Sequence, residues 1–312
     1  MSRILVTGGA GYIGSTLVPA LLDRGHKVTV VDNFMFDQTS LAGVCYHRCF
    51  NLVRGDVRSM QTMAPLVKEA DIIIPLAALV GAPLCDRDPM ATETINRDAV
   101  VDMLGLLSKH QRVLMPISNS GYGVGETGRF CTEETPMRPI SLYGRTKVEV
   151  EEALLGRHEN AISFRLATVF GLSPRMRFDL LVNDFTLRAC RDGFIVVFEG
   201  HFKRNYVHVR DVARAFIHGI DNFESMRGQA YNVGLSDANL SKLELCAAIQ
   251  KQVPSFVYLE SDINEDPDKR DYIVSNEKIE RTGFAPAHSL NDGIAELIKG
   301  CTMLKKSPHG NI

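Results

Sequence analysis

The feature that most constrains this fold is a glycine-rich run between a predicted strand and a predicted helix near the start of the chain. Residues 8–14 read GGAGYIG, with glycines at Gly8, Gly11 and Gly14. In a strand–turn–helix unit the first glycine permits the tight turn, the second lets the backbone approach a diphosphate, and the third lets the helix pack closely. A glycine-rich turn without a ligand is the alternative, but the strand–helix setting favours a dinucleotide cradle that includes Tyr12 and Ile13.

The first half of the chain alternates short β-branched runs with amphipathic helical stretches. This rhythm is typical of βαβ units and predicts an α/β fold, a doubly wound parallel Rossmann sheet. Another strand is expected shortly before Asp56. The predicted strands are 3–7, 27–31, 71–76, 112–117 and 161–166, and the predicted helices are 15–24, 63–69, 91–110 and 143–155.

The rhythm breaks after Phe170, where loops and helices rich in Arg, Asn and Asp follow. The sequence therefore predicts a dinucleotide-binding domain over 1–168 and a smaller substrate-binding lobe over 169–304, with some segments returning to the first domain. Residues 305–312 are expected to form a flexible tail.

Composition excludes several classes of function. The 35 basic and 37 acidic residues form no block of like charge longer than Lys305-Lys306, so neither a nucleic-acid surface nor a membrane patch is predicted. The seven cysteines are scattered and include no Cys-x-x-Cys pair, which predicts a reducing cytoplasm without a metal site. The cluster over 45–49 offers two thiols and one histidine, but it lacks the further paired ligand that a zinc site needs. We expect no export signal and no membrane span.

The residue after the second predicted strand favours NAD over NADP as the cofactor. Asp32 lies eighteen residues beyond Gly14, where a carboxylate accepts both ribose hydroxyls and repels the 2′-phosphate of NADP. Asn33 follows it and no arginine does. Asp56 and Val57 are expected near the adenine, although Asp56 is equally plausible as a turn residue. The predicted cofactor site is completed by Leu76, Ala77 and Ala78 after the 71–76 strand.

A tyrosine and a lysine four residues apart open the predicted helix over 143–155. This spacing places Tyr143 and Lys147 on one face, where an ammonium and the nicotinamide ring favour the phenolate. Lys147 can also hold the nicotinamide ribose. Ser118, after a predicted strand, is placed to orient a substrate oxygen for proton transfer to Tyr143. Taken singly each residue is weak evidence, because Tyr and Lys at this spacing usually lie on a solvated face.

In their order along the chain these motifs resemble the extended short-chain dehydrogenase/reductase family. The resemblance implies enzymes that oxidise a sugar hydroxyl, usually at C4, while the tyrosine takes the proton. It also implies that Asn96 supports the active site and that a nucleoside-diphosphate sugar is the substrate. Members usually dimerise through the Tyr-x-x-x-Lys helix, so a homodimer is expected. The residues that the resemblance assigns to substrate binding are Ser118, Asn119, Ser120, Arg177, Asn183, Arg204 and Arg270.

The residues after Ser118 discriminate between reactions. Dehydratases of this family carry an Asp-Glu pair there, whereas Asn119 and Ser120 are neutral, which disfavours elimination. A 4-keto sugar and a 4-epimer both stay open as products, and a regulator that binds NAD without chemistry is a third alternative. Longer blocks resemble one branch, bacterial dehydrogenases that act at C4 of a GDP-linked manno-heptose in surface polysaccharide synthesis. These blocks are 35–38, 79–85, 119–123, 174–185, 200–206 and 265–272.

Overall fold

A computed structural model of the chain describes residues 1–261, 263 and 269–304. The predicted tail over 305–312 and part of the 265–272 block lie outside the described residues. The strands are β1 (Arg3–Thr7), β2 (Lys27–Asp32), β3 (Phe50–Arg54), β4 (Ile72–Pro75), β5 (Arg112–Ser118), β6 (Phe130–Cys131), β7 (Ala161–Leu166), β8 (Thr168–Phe170), β9 (Phe194–Val197), β10 (Lys203–His208), β11 (Gln229–Val233), β12 (Asn239–Ser241), β13 (Val257–Glu260) and β14 (Ile273–Val274).

The helices alternate with these strands through most of the chain. They are α1 (Gly14–Asp23), α2 (Met60–Glu69), α3 (Ala82–Arg87), α4 (Pro89–Glu93), α5 (Ala99–Leu104), α6 (Leu142–Arg157), α7 (Leu181–Arg191), α8 (Val209–Asp221), α9 (Phe223–Met226), α10 (Lys242–Gln250), α11 (Glu277–Glu280) and α12 (Leu290–Met303).

Within the described residues, seven strands form one parallel sheet in the order β11-β7-β5-β4-β1-β2-β3. One apolar core joins this sheet to α1 and α8, through residues such as Leu17 and Phe216. A second core joins its other face to α2, α5 and α6, through residues such as Met63 and Leu154. The sheet is therefore a doubly wound Rossmann sheet, as the sequence predicts.

The smaller lobe is built from short sheets and the helices α7, α10 and α12. β10 pairs with both β8 and β12, and β9 pairs with β13. Its own core includes Phe185, Tyr206, Leu245 and Ile294. β11, although it follows Phe170 by almost sixty residues, lies in the large sheet beside β7, so part of the 169–304 stretch returns to the first domain.

The helix expected over 91–110 is present over 91–104, but it contains a π-helical turn and ends six residues earlier than predicted. The structure has α4, then a π-helical turn over Thr94–Asp98, then α5, which ends at Leu104. The widened turn carries Asn96, whose buried amide accepts from the Leu79 N–H and donates to the Leu79 carbonyl, both at 2.8 Å. A π-turn is a common local device at functional sites, and here it fixes a backbone segment beside the cleft described below.

Among the described residues, no helix is both long and apolar enough to cross a membrane.

Candidate active site

A cavity of about 270 Å³ lies at the carboxyl ends of β1, β2, β4 and β5, on the side that the smaller lobe covers. The order of the sheet reverses between β1 and β4, and open α/β sheets bind ligands at such a point. The predicted site residues that line the cavity are Gly8, Gly11, Tyr12, Ile13, Gly14, Asp32, Asn33, Asp56, Val57, Leu76, Ala77, Ala78, Ser118, Tyr143, Lys147, Arg177 and Arg270.

The glycine-rich turn has no room for side chains where two of its glycines lie. Gly8 has a φ of +66°, and a Cβ built on it would come within 2.6 Å of the Ala77 backbone. A Cβ on Gly14 would come within 2.4 Å of the Gly9 carbonyl oxygen, whereas one on Gly11 would meet only the Gly8 oxygen at 3.1 Å. α1 starts without a side-chain cap. The N–H groups of Ser15 and Leu17 already donate to the carbonyls of Gly11 and Ile13 at 2.9 Å, so an anion would meet the N–H groups that precede Ser15. This geometry fits a dinucleotide diphosphate.

Asp32 is held rigidly at the end of β2. Its Oδ2 accepts from the Ala10 N–H at 3.0 Å, and its Oδ1 accepts from the Phe34 N–H at 2.9 Å and from the Gln38 amide at 3.2 Å. Burial raises the pKa of Asp32, and these hydrogen bonds oppose the rise. Because a carboxylate offers about four acceptor sites, Asp32 keeps capacity for a ribose hydroxyl.

Asp56 is committed to a local ion pair. Its carboxylate is 2.6 Å from Arg58 Nη2, and this pairing lowers the pKa of Asp56. Both Asp56 and Val57 line the same end of the cavity as Asp32.

The reactive side chains converge at the other end of the cavity. Ser141 caps α6 by accepting from the Gly144 N–H at 3.1 Å, which fixes the first turn that carries Tyr143. Lys147 Nζ is 6.0 Å from the centre of the Tyr143 ring. Ser118, the last residue of β5, accepts from the Ser120 N–H and hydrogen-bonds to Tyr143.

The electrostatics of this group differ from the sequence expectation. Burial raises the pKa of Tyr143 to about 12, and Arg177, Arg270 and Ser118 oppose this rise. Burial lowers the pKa of Lys147 to about 8. In the protein alone Tyr143 is therefore a phenol at neutral pH, and the cations that oppose the rise are arginines rather than Lys147.

Two of the predicted substrate arginines line the cavity and one does not. Arg177 is 8% exposed and donates from Nε to Asp179 at 3.1 Å, while Arg270 faces Tyr143 from another segment. Arg204 is 3% exposed, donates to the Lys203 carbonyl at 2.8 Å and lies 5.6 Å over the ring of Tyr272. Tyr272 lines the cavity and Arg204 does not, so the structure does not bring Arg204 to the cleft.

Asn183, for which a substrate contact is predicted, also lies outside the cavity lining. Its Oδ1 accepts from the Gly171 N–H at 3.0 Å, and its Nδ2 donates to the Tyr12 hydroxyl and to the Arg177 carbonyl. The side chain is fully buried, so it supports the loop that carries Arg177.

Asn119 and Ser120 are buried next to Ser118 but do not line the cavity. Both amide atoms of Asn119 and the hydroxyl of Ser120 lack a hydrogen-bond partner among the described residues. Such groups are rare in folded proteins, so they are available to a ligand or a water molecule.

Sequence reasoning missed two residues that line this cleft and one that packs behind it. Cys85 on α3 is fully buried and packs with Leu79 behind Tyr143, and burial raises the pKa of its thiol. Arg175 and Phe36 line the cofactor end. Their contacts join segments far apart in the chain. All three lie in the blocks 79–85, 35–38 and 174–185, but the branch resemblance gives them no role in the site. Among the described residues, no group of three or more His, Cys, Asp or Glu side chains could hold a metal ion.

Comparisons with known proteins agree with this geometry. The profile of the family described as "NAD dependent epimerase/dehydratase family" matches residues 4–234. UDP-glucuronic acid decarboxylase 1 of Arabidopsis thaliana is 27% identical over 309 residues, which covers 95% of this chain and 69% of that protein.

Solved structures give the same result for the fold. A Tyr-to-Phe mutant of UDP-glucuronic acid 4-epimerase from Bacillus cereus, in complex with UDP-4-deoxy-4-fluoro-glucuronic acid and NAD, superposes with a TM-score of 0.87 at 22% identity. The match covers 97% of this chain and 100% of that one. The NAD complex of UDP-glucose 4-epimerase from Thermus thermophilus gives 0.81 at 23% identity, covering 96% and 99%.

Proposed function

Because the chain belongs to the NAD-dependent epimerase/dehydratase family and is an enzyme that uses NAD, we propose that it oxidises C4 of a nucleoside-diphosphate sugar. The substrate we propose is a GDP-manno-heptose, and the pathway is bacterial surface polysaccharide synthesis. The observation that carries the reaction is the convergence of Ser118, Tyr143 and Lys147 at one end of a cavity whose other end fits the dinucleotide. The heptose rests on the branch resemblance of blocks such as 174–185.

The side chains divide the reaction between them. Ser118 accepts or donates a hydrogen bond at the C4 oxygen and orients the hydroxyl toward Tyr143, which removes its proton. Bound NAD supplies the hydride acceptor and a positive ring that favours the phenolate. Arg177 and Arg270 lie close enough to Tyr143 to lower its pKa, and we propose that they bind the substrate diphosphate. The sequence predicts Arg204 and Arg270 for this role, but Arg204 does not line the cavity.

The charges around the cavity support oxidation rather than elimination. Of the described residues that line it, the acidic ones are Asp32 and Asp56, and both lie at the cofactor end. Elimination at C5 and C6 needs an acid and a base beside the sugar. Asn119 and Ser120, which stand where dehydratases of the family carry that pair, are neutral.

A nucleotide-sugar 4-epimerase is the second candidate, since two of the similar solved structures are 4-epimerases. It would use the same three reactive residues. The intact trio disfavours a regulator without chemistry, because a sensor needs only the cofactor site.

Product analysis separates these candidates. Purified protein is incubated with GDP-manno-heptose, GDP-mannose and UDP-glucose, and the products are identified by NMR while NADH is followed at 340 nm. A 4-ketone from the GDP-heptose supports our proposal, and an inverted C4 alcohol supports the epimerase. Ready turnover of UDP-glucose with no reaction of the GDP sugars would refute the proposed substrate.

We also propose a cytoplasmic homodimer that forms through α6. Val150 and Leu154 are fully buried in the protein's own core, which leaves the half-buried Val148 and Ala153 for a partner. Light scattering after size exclusion tests the dimer, and a mass of 34.6 kDa would contradict it.

A further inference from the structure

The loop between β8 and α7 is fastened to the cofactor cradle. The Tyr12 hydroxyl donates to the Gly171 carbonyl at 2.7 Å, and the Ser173 hydroxyl donates to the Tyr12 carbonyl at 2.7 Å. The hydroxyls of Ser173 and Ser15 are 2.8 Å apart, and the Arg175 N–H donates to Ser15 at 3.3 Å. Since Ser15 lies in the first turn of α1, the backbone of Arg175 lies beside the place where the diphosphate of a dinucleotide is expected.

The side chain of Arg175 continues across the cofactor end of the cavity. Its guanidinium carbon lies 4.5 Å from the centre of the Phe36 ring, and Nη1 donates to the Met176 carbonyl at 3.3 Å. Arg175 lines the cavity although it is only 4% exposed. It is also close enough to Asp32 for the two charges to affect each other.

This guanidinium is a desolvated cation beside a second one. Burial and the neighbouring Arg177 lower the pKa of Arg175, and Asp179 and Asp32 oppose this change. A buried guanidinium next to a second cation is stabilised when a further anion binds to it. The planar fork of arginine matches phosphate oxygens in pairs, and such charge-assisted hydrogen bonds are about twice as strong as neutral ones.

We propose that Arg175 is a cofactor-binding residue, whose guanidinium binds the diphosphate of NAD from the lobe side, opposite the glycine-rich turn. The ring of Phe36 packs against the guanidinium, and Asp32 binds the adenosine ribose next to it. The smaller lobe thus contributes to the cofactor site as well as to the substrate site.

The test measures binding of nucleotide fragments to the full-length protein freed of nucleotide. Arg175→Met keeps an unbranched side chain over Phe36 but removes the charge, and Arg175→Lys keeps the charge but loses the fork. Arg188→Met, an exposed arginine on α7 that pairs with Asp184, is the matched control. Titration calorimetry follows ADP-ribose and ADP, and competition against ADP-ribose follows adenosine, which has no phosphate.

We expect Arg175→Met to weaken ADP-ribose and ADP about tenfold or more, with Arg175→Lys between it and the parent protein. Adenosine affinity stays unchanged in both variants, as does ADP-ribose affinity in Arg188→Met. Equal ADP-ribose affinity in Arg175→Met and the parent protein would overturn the proposal. An equal loss for adenosine would also overturn it, because Arg175 would then shape the adenosine pocket instead of binding phosphate. If Arg175→Met does not fold, judged by circular dichroism, Arg175→Lys alone decides between these outcomes.

Discussion

Replacing Lys147 by Met should stabilise the folded protein while it destroys activity. Lys147 is 4% exposed on α6, and burial lowers its pKa from 10.5 to about 8. The ammonium is therefore less stable in the folded protein than in the unfolded chain. Methionine has a similar length, fills the same space with apolar atoms and carries no charge to desolvate.

The shift sets both the size and the pH dependence of this effect. With about 1.36 kcal/mol per pKa unit, lowering the pKa from 10.5 to about 8 costs about 3 kcal/mol of folding free energy. Below pH 8 both states carry the proton and the cost is complete. Between pH 8 and 10.5 the unfolded chain binds a proton that the folded protein does not, so the stability contribution of this group rises with pH. Above that window the cost is gone.

Urea unfolding of the nucleotide-free protein at pH 7 and pH 10 checks this reasoning. The advantage of Lys147→Met over the parent should be about 2–3 kcal/mol at pH 7 and below about 1 kcal/mol at pH 10. Lys68→Met, at an exposed position on α2, should show neither change. The reasoning fails if Lys147→Met is no more stable than the parent at pH 7, or if its advantage is the same at both pH values.

Three further changes probe the cradle, the proton transfer and the core. Tyr143→Phe should lower turnover at least 10²-fold while calorimetry finds NAD affinity almost unchanged, and undiminished turnover would remove its role as the base. Gly14→Ala places a Cβ 2.4 Å from the Gly9 carbonyl oxygen, so it should abolish measurable NAD binding and lower the melting temperature; normal NAD affinity would contradict the close packing of α1. Glu151→Ala leaves Arg165, its buried partner at 2.6 Å, without a counter-ion and should cost about 3–5 kcal/mol in urea unfolding, which a loss below about 1 kcal/mol would refute.

The first half of the fold is predictable because its signals are local. β1 and β7 have the bounds that their β-branched runs predict, and β5 is one residue longer. β11 could not be assigned in the same way, since its place beside β7 depends on a pairing between segments more than sixty residues apart. The π-helical turn between α4 and α5 could not be predicted for a related reason. The side chain of Asn96 bonds to a distant backbone segment, and helical periodicity carries no sign of that contact.

The same difference between local sequence signals and long-range contacts applies to the residues of the site. The glycine turn, Asp32 and the Tyr143–Lys147 pair are recognisable because the chemistry demands fixed residue types at fixed spacings. The roles of the arginines cannot be recognised in this way, because the role of an arginine depends on the groups that its guanidinium contacts in the folded protein. Arg204 and Arg177 both stand in motifs that resemble substrate-binding segments, yet only Arg177 lines the cavity. Arg204 instead packs against the ring of Tyr272, a contact that no sequence motif indicates.

Asn183 connects the cofactor cradle to the loop that carries Arg177, although it does not line the cavity. One amide group bonds to the Tyr12 hydroxyl in the cofactor cradle and to the carbonyl of Arg177, while its oxygen holds the Gly171 N–H. Gly171 has a φ of +107°, and a Cβ there would lie 2.4 Å from His208 Nε2, so the chain can turn at this point only without a side chain. A substituent that displaced this turn would move Arg177 and the cradle together. The position of Arg177, our proposed substrate ligand, is therefore set by the same contacts that shape the dinucleotide site. This explains why Asn183 is fully buried and hydrogen-bonded although it does not reach the cavity.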